Sequence, residues 1–120
     1  MMKVQIQSLG VLMVVLLAST ATANIILPSV FLPIKDVNNP KLADLGNFAV
    51  VEHVKQTGKD QLKFEKILKA EYYFPDDVHQ FYLIFSATNA SGISNQYDAL
   101  VNENESNHSI KLVAFETYVH

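Results

Sequence analysis

The stretch from residue 39 to residue 58 constrains the fold most, because it is the one segment after the N-terminal apolar run with a clear helical pattern. Asn39 can cap a helix, and Pro40 suits the first helical position, where a backbone N–H would have no partner. Gly58 can end the helix in a left-handed conformation. One apolar stripe recurs at spacings of three and four residues: Leu42, Leu45, Phe48 and Ala49. Val51 and Val54 lie off this stripe, so we expect the helix to be covered on more than one side.

The chain after this helix alternates apolar and polar residues, which predicts β-strands. In residues 61–74 every second residue falls on one face, which is apolar except for Lys66. Its apolar members are Leu62, Phe64, Leu68, Ala70, Tyr72 and Phe74. In residues 78–88 one face carries Phe81, Leu83, Phe85 and Ala87. A third strand is indicated by Tyr97, Ala99 and Val101, and a fourth spans residues 110–119. Turns are predicted at Pro75-Asp76-Asp77, at residues 89–94 and at residues 102–109.

The residues before the helix predict an extended arm. Pro28 and Pro33 are incompatible with a helix or a central strand, so we expect a short edge strand at residues 32–35. One helix followed by a run of strands is an α+β pattern, which predicts one long helix against an antiparallel sheet of four to five strands. In an up-and-down meander the first and third turns lie at one end of the sheet, and the second turn lies at the other end.

Residues 1–23 have the pattern of a secretory signal peptide. Lys3 precedes an apolar run at residues 9–17, and Ala21-Thr22-Ala23 is a small-residue cleavage site. The run is short for a membrane span, although an uncleaved anchor is the alternative. We therefore expect one secreted domain at residues 24–120, without membrane association after cleavage, in the secretory pathway, the apoplast or a vacuole.

Composition excludes several classes of function. The chain has no cysteine, so the domain must be held by packing and strand pairing, and thiol catalysis is excluded. Without Lys3, eight lysines remain against twelve acidic residues, a formal charge of −4, and there is no arginine. Nucleic acid is an unsuitable partner because its phosphates are neutralised by basic side chains.

The histidines do not predict a catalytic or metal site. His79, His108 and His120 lack metal-ligand spacing, and His53 is expected to pack within the fold. Glu52 beside His53 is not accompanied by a suitable nucleophile. No metal, cofactor or enzymatic activity is predicted, and a hydrolase is only a remote alternative.

The helix carries a motif that resembles the cystatins, and specifically the plant-type cystatins. Their helix signature is Leu-(Ala/Gly)-x-Phe-Ala-Val-x-Glu-His-Asn, and residues 45–54 match nearly all of it with Leu45-Gly46-Asn47-Phe48-Ala49-Val50-Val51-Glu52-His53-Val54. The lead-in at residues 33–40 and the strand segments at residues 62–64, 68–70 and 97–99 are also similar. The resemblance covers about residues 33–115.

The resemblance implies a helix gripped by a curved antiparallel sheet, and a monomeric inhibitor of papain-like cysteine proteases. Family members insert a wedge of three pieces into the protease cleft: an N-terminal arm with a glycine, a hairpin with Gln-x-Val-x-Gly, and a hairpin with Pro-Trp. This chain departs from all three. Its arm has no glycine, residues 72–77 replace the first hairpin motif, and Glu105-Ser106 replaces Pro-Trp. Pro75 at the first hairpin is rigid and cannot donate a backbone N–H.

Two hypotheses about function follow from this resemblance. The first is reversible protease inhibition, with the predicted contact residues Val30, Phe31, Tyr72, Tyr73, Phe74, Pro75, Asp76, Glu105 and Ser106. Among these, Tyr73 and Phe74 could supply a replacement apolar contact. The second is a secreted binding module of the same fold that does not inhibit. A domain-swapped dimer is the alternative to the expected monomer.

Three Asn-x-Ser sequons begin at Asn89, Asn104 and Asn107, and each is a candidate for N-glycosylation in a secreted chain. Two of them fall in the predicted second hairpin. A glycan at Asn104 or Asn107 would mask the end of the molecule that carries the predicted wedge. The alternative is that polar turns accumulate asparagine and serine without modification.

Overall fold

The computed structural model describes residue 25, residues 30–58 and residues 61–119, so the predicted signal peptide lies outside the described residues. The elements in chain order are β1 (Leu32–Pro33), α1 (Pro40–Thr57), β2 (Lys63–Tyr73), β3 (Val78–Thr88), β4 (Ser94–Asn104) and β5 (Ile110–Thr117). The strands form one sheet in the order β1-β2-β3-β4-β5, and each neighbouring pair is antiparallel. The predicted α+β arrangement of one helix on an antiparallel sheet is confirmed. No helix within the described residues is long and apolar enough to cross a membrane.

Helix α1 begins and ends where its capping residues predict. The Asn39 side chain accepts a hydrogen bond from the backbone N–H of Lys41 at 2.9 Å, and Pro40 occupies the first turn. Gly58 adopts φ +65° and donates its N–H to the Val54 carbonyl at 2.8 Å. Both Val51 and Val54 were expected to be covered by other parts of the chain. Val54 does pack against the core, but Val51 is exposed.

The main core lies between α1 and the inner face of the sheet. Its buried members are Leu42, Leu45, Ala49, Val50, Ile67, Ala70, Phe81, Leu83, Phe85, Ala87, Ala99 and Val101. The predicted inward face of β3 is therefore confirmed. His53 stacks on Phe115 at a centroid distance of 3.9 Å, in agreement with the packing role expected of this histidine.

Strand β2 departs from the alternation that the sequence suggests. Ile67 is 6% exposed and lies in the core, whereas Leu68 is 36% exposed, so the predicted inward position of Leu68 is wrong. The register of β2 against β3 shifts between Phe64 and Lys66 and again between Ile67 and Lys69. Each irregularity adds a residue to β2, and one extra residue reverses which face the following side chains occupy.

A second, smaller cluster lies on the outer face of the sheet, away from α1. It contains Phe31, Tyr82 and Ile84, with Ile25, Tyr73, Leu100 and Tyr118 packed around them. The two described parts of the N-terminal arm, Ile25 and Phe31, thus cover the outer face. We refer to residue 25 and residues 30–33 as the arm.

Replacing Ile67 with alanine should lower the free energy of unfolding by about 2–4 kcal/mol, because it leaves a cavity in the main core. Leu68→Ala, the matched control on the next residue, should cost less than about 1 kcal/mol because its side chain is partly in solvent. Urea unfolding of both variants measures the difference. A larger loss for Leu68→Ala would contradict the irregular register of β2.

Candidate functional site

Three segments meet at one end of the sheet, which we call the loop end. They are the first turn at residues 74–77, the turn at residues 105–109, and the start of β1. The turn at residues 105–109 is the third along the chain, and from here on we call it the second turn because it is the second of the loop end. The two turns are in direct contact, because the backbone N–H of Glu105 donates to the carbonyl of Asp77 at 2.8 Å. Leu32 pairs with Tyr72, so the arm lies beside the part of β2 that leads into the first turn. The turn at residues 89–93 lies at the opposite end, as the meander predicts.

The first turn is short and fixed by its own backbone. The N–H of Val78 donates to the carbonyl of Pro75 at 3.1 Å. Asp76 adopts φ +54°, a left-handed conformation that aspartate tolerates better than most residues. The tip therefore combines the fixed φ of a proline with a left-handed backbone conformation at the next residue.

Phe74 presents an aromatic surface beside this turn. Its ring is stacked on His79 at a centroid distance of 4.1 Å and contacts Tyr72 at 4.8 Å, yet the residue is 47% exposed. Val30 and Leu32 on the arm are also about half exposed. We call Val30, Leu32 and Phe74 the apolar rim of the loop end.

The structure brings most of the predicted contact residues to the loop end, but it does not expose all of them. The side chains of Asp76, Glu105 and Ser106 are exposed to solvent. Those of Tyr72, Tyr73 and Pro75 are half-buried. Phe31 is the exception, because its side chain is 8% exposed and packs against Tyr82 and Ile84. Its ring also contacts Tyr73 at 5.5 Å. Phe31 therefore packs on the sheet and exposes little of its side chain, and its role as a contact residue stays a prediction.

The second turn is held by the side chain of Asn104. Its Oδ1 accepts the backbone N–H groups of Ser106 at 2.9 Å and Asn107 at 3.2 Å. The N–H of His108 donates to the Asn104 carbonyl at 2.8 Å. Residues 102–104, predicted as turn, belong to β4 instead. Among the sequon asparagines of this turn, Asn107 is exposed and Asn104 is partly buried, while Asn89 lies at the opposite end.

A charged group that the sequence analysis missed lies beneath the second turn. Glu103 is buried, with Lys41 Nζ at 2.6 Å from its Oε1 and His108 Nδ1 at 3.6 Å from its Oε2. The hydrogen bond and charge of Lys41, aided by His108, lower the pKa of the Glu103 carboxyl against the opposite effect of burial. Glu103 continues the inward series of Tyr97, Ala99 and Val101, and that period of two is the signal that could have found it.

The remaining polar groups of the loop end do not form a catalytic constellation. His79 Nε2 lies 3.7 Å from Glu105 Oε1, which links β3 to the second turn. Within the part of the chain that the structure describes, no group of three or more histidine, cysteine, aspartate or glutamate side chains is placed to hold a metal ion. The loop end is thus a rigid surface of mixed apolar and charged character, suited to contact with another molecule.

One helix on a five-stranded antiparallel sheet, with the arm and two turns at one end, defines a cystatin-like scaffold of the kind found in proteinase inhibitors. Residues 34–118 match the model of the SQAPI family, described as aspartic acid proteinase inhibitor, and the chain belongs to this family. A rice protein (Oryza sativa subsp. japonica) named cysteine proteinase inhibitor 6 is 27% identical over 101 residues, which cover 84% of this chain and 89% of the rice protein. Both similarities support proteinase inhibition as the general activity and a proteinase as the general partner.

Replacing Lys41 with methionine should reduce the free energy of unfolding at neutral pH by about 1–3 kcal/mol, because it leaves the buried Glu103 carboxylate without its closest cation. The pKa of Glu103 is lowered in the folded state, so this contribution is present above the ordinary glutamate value of 4.5 and is lost as the pH falls through the folded value. The cost of Lys41→Met should therefore shrink in acid. Urea unfolding over a series of pH values measures it.

The control for this prediction is Lys55→Met, which removes a lysine of the same helix that is 3.6 Å from Glu52 and more exposed. Exposed pairs contribute little, so this variant should lose less than about 1 kcal/mol at any pH. Equal losses for the two variants at neutral pH would contradict the role assigned to Lys41.

Proposed function

We propose that this protein is a monomeric, reversible inhibitor of an aspartic proteinase, and that it acts by inserting the loop end into the active-site cleft. The observation that carries the proposal is the joined pair of turns with the exposed Phe74 beside them, in a chain that belongs to a family described as aspartic acid proteinase inhibitor. Inhibition would be by occlusion, and the chain itself would carry out no chemistry.

The rigidity of the loop end supports this mode of action. Binding costs free energy when loops must be ordered, and a preformed surface avoids most of that cost. Here the first turn is closed by the Val78–Pro75 hydrogen bond and joined to the second turn through Glu105. Phe74 is the kind of aromatic anchor that dominates interface energetics, and it stands in for the tryptophan that the chain lacks.

The loop end carries acidic side chains at both tips. Asp76 and Asp77 stand at the first tip and Glu105 at the second, with His79 beside Glu105 and His108 in the second turn. Burying carboxylates in a cleft is costly unless they are paired, so a matching cleft must offer hydrogen-bond donors or positive charge to these groups.

A papain-like cysteine protease is the second candidate target. It is favoured by the similarity to the rice cysteine proteinase inhibitor and by the plant-type cystatin helix signature at residues 45–54. Against it stand the missing arm glycine and Pro75 in the first turn, which cannot donate a backbone N–H. A binding module without inhibitory activity is the remaining alternative.

Titration of a pepsin-like aspartic proteinase and of papain with the protein, each at the acidity at which the enzyme is active, separates these candidates. We expect tight inhibition of the aspartic proteinase and weak or no inhibition of papain. Tight inhibition of papain alone would replace the proposal by the second candidate. Inhibition of neither, across several enzymes of each class, would support the non-inhibitory module.

Phe74→Ala should weaken inhibition by about 30-fold, since truncation of an aromatic anchor costs about 2 kcal/mol or more of binding. The matched control is Ile93→Ala, which removes a side chain of similar exposure at the opposite end and should leave the inhibition constant unchanged. Thermal unfolding of Phe74→Ala shows whether the contacts of its ring with His79 and Tyr72 also affect the fold. A change of less than about threefold in a folded variant would remove Phe74 from the contact surface.

We also propose that the chain enters the secretory pathway, to the apoplast or a vacuole, and that a glycan at Asn107 masks the loop end. Asn107 is exposed at the second turn, and its Oδ1 accepts one backbone N–H, from Ser109. Asn104 is partly buried, and its Oδ1 accepts two, from Ser106 and Asn107. In protein from a glycosylating host, Asn107→Gln should increase inhibition several-fold, because it removes a bulky group from the contact surface. Asn89→Gln, at the opposite end, should change nothing. Mass spectrometry that finds Asn104 and Asn107 unmodified would refute the masking hypothesis.

A further inference from the structure

One side of the sheet ends in a long edge strand. Strand β5 (Ile110–Thr117) pairs with β4 and with no other strand of the described residues, whereas the edge strand of the opposite side, β1, has only 2 residues. β5 contains no proline, and its stretch from Leu112 to Phe115 carries no charge. Such an edge presents unpaired backbone groups to which another extended chain can bind. The proposed function makes no use of this edge.

The hydrogen bonds at the two ends of β5 identify which of its backbone groups point away from β4. At one end the N–H of Tyr118 donates to the carbonyl of Gln96 at 3.0 Å, and at the other the N–H of Asn104 donates to the carbonyl of Ser109 at 2.9 Å. Opposite residues of an antiparallel ladder alternate between hydrogen-bonded and non-hydrogen-bonded pairs. Counted inward from both ends, the residues whose backbone groups point outward are Ile110, Leu112, Phe115 and Thr117. Within the described residues, no backbone or side chain forms a hydrogen bond with these outward groups.

An irregularity in the middle of β5 makes this edge symmetric. Val101 is opposite Leu112, but the preceding residue of β4 is opposite Ala114, so Val113 is an extra residue. In a regular strand, residues three apart lie on different faces. Because of the extra residue, Leu112 and Phe115 both lie on the inner face, where both pack against the main core.

The two charged residues of β5 share the outer face for the same reason. Glu116 is the cross-strand partner of Asp98, whose Oδ2 accepts a hydrogen bond from the Tyr82 hydroxyl in the outer cluster at 2.6 Å. Lys111 is the partner of Asn102, which is four residues from Asp98 on the same strand and therefore on the same face. The Lys111 side chain is exposed, and it has no ion-pair partner among the described residues.

We propose that β5 pairs with β5 of a second copy of this chain, antiparallel and about a two-fold axis, so that the two sheets become one continuous sheet. In this register Ile110 is opposite Thr117 of the second copy, and Leu112 is opposite its Phe115. All four residues have outward backbone groups, so the free donors and acceptors of one chain meet those of the other. A two-fold interface uses the same patch on both chains, and each of these contacts occurs twice.

The charges of β5 favour this partner and this register. Lys111 is opposite Glu116 of the second copy, in a non-hydrogen-bonded pair, where opposite side chains are closest. Opposite charges in such positions stabilise antiparallel pairs. A lysine on an edge strand ordinarily discourages pairing, but here the second copy supplies its counter-charge. A shift by two residues in either direction would separate these charges, and Val113 of each strand would then be opposite a regular position of the other.

The self-association goes beyond the proposed function, in which the single chain is the inhibitory unit. Association follows mass action, so the chain is single when dilute and paired when concentrated. It exchanges no element between the chains, which distinguishes it from a domain-swapped dimer.

The first experiment is analytical ultracentrifugation of the protein over a range of concentrations up to about 1 mM. We expect the mass to rise to that of two chains and to return to that of one chain on dilution. Hydrogen exchange should slow with concentration at the amides of Leu112 and Phe115, but not at those of Lys111 and Glu116, which already face β4. A protein that remains monomeric, a dimer that persists after dilution, or protection confined to other residues overturns the proposal.

Two charge variants test the register. Lys111→Glu and Glu116→Lys each place like charges opposite one another, so each variant alone should associate about tenfold more weakly than the unchanged protein. A mixture of the two variants restores opposite charges at both positions and should recover the affinity. The control is Lys63→Glu, which changes the net charge equally at an exposed position of β2 and should have no effect. A mixture that associates no better than either variant, or an equal effect of the control, contradicts the register.

A backbone variant keeps the test independent of the charges. Thr117→Pro removes an outward N–H and leaves the hydrogen bonds between β4 and β5 in place, as proline does at edge positions. It should weaken the association several-fold in a protein whose thermal unfolding shows that it is folded. Unchanged association of the folded variant would exclude this edge as the contact. None of these results depends on inhibition, so this proposal and the proposed function can fail separately.

Discussion

The burial of one side of α1 against the inner face of the sheet is the interaction on which the rest of the structure depends. Leu45 and Ala49 are almost completely buried there, opposite Leu83 and Phe85 of the central strand β3. A chain without cysteine has no covalent cross-link to hold its strands, so this apolar contact must supply most of the stability of the folded state. The strands that carry the loop end are fixed by this core, which extends to Tyr72 and Phe81 beside Phe74.

The parts of the fold that follow from local rules could be predicted from the sequence. Caps at Asn39 and Gly58 set the ends of α1, and alternation set the inward face of β3, because each depends on residues close in the chain. The position of Leu68 could not be predicted, since the two irregularities of β2 arise from how it pairs with β3. Nor could the burial of Phe31, because a residue of an extended arm carries no periodic signal that says which surface it will meet.

The sequence predicted where the residues of the candidate site lie in the fold, but not which of their side chains are exposed. The meander and the family resemblance located both turns and the arm, and the contact between Asp77 and Glu105 agrees with that placement. Which of these side chains are exposed depends on tertiary packing, so Phe74 and Phe31, both aromatic and both predicted as contacts, have opposite environments. The scaffold alone therefore does not decide the target, and function must be argued from the exposed side chains of the loop end.

Strand β4 carries two buried carboxyls whose responses to pH are opposite. Asp98 and Glu103 are five residues apart, an odd spacing that places them on different faces of the sheet, one beneath the arm and one beneath the second turn. As the pH falls, the stability that Glu103 gains from Lys41 is lost, while the cost of keeping Asp98 ionised is removed. The two contributions to the free energy of unfolding therefore change in opposite directions as the pH falls, although both groups belong to the same strand.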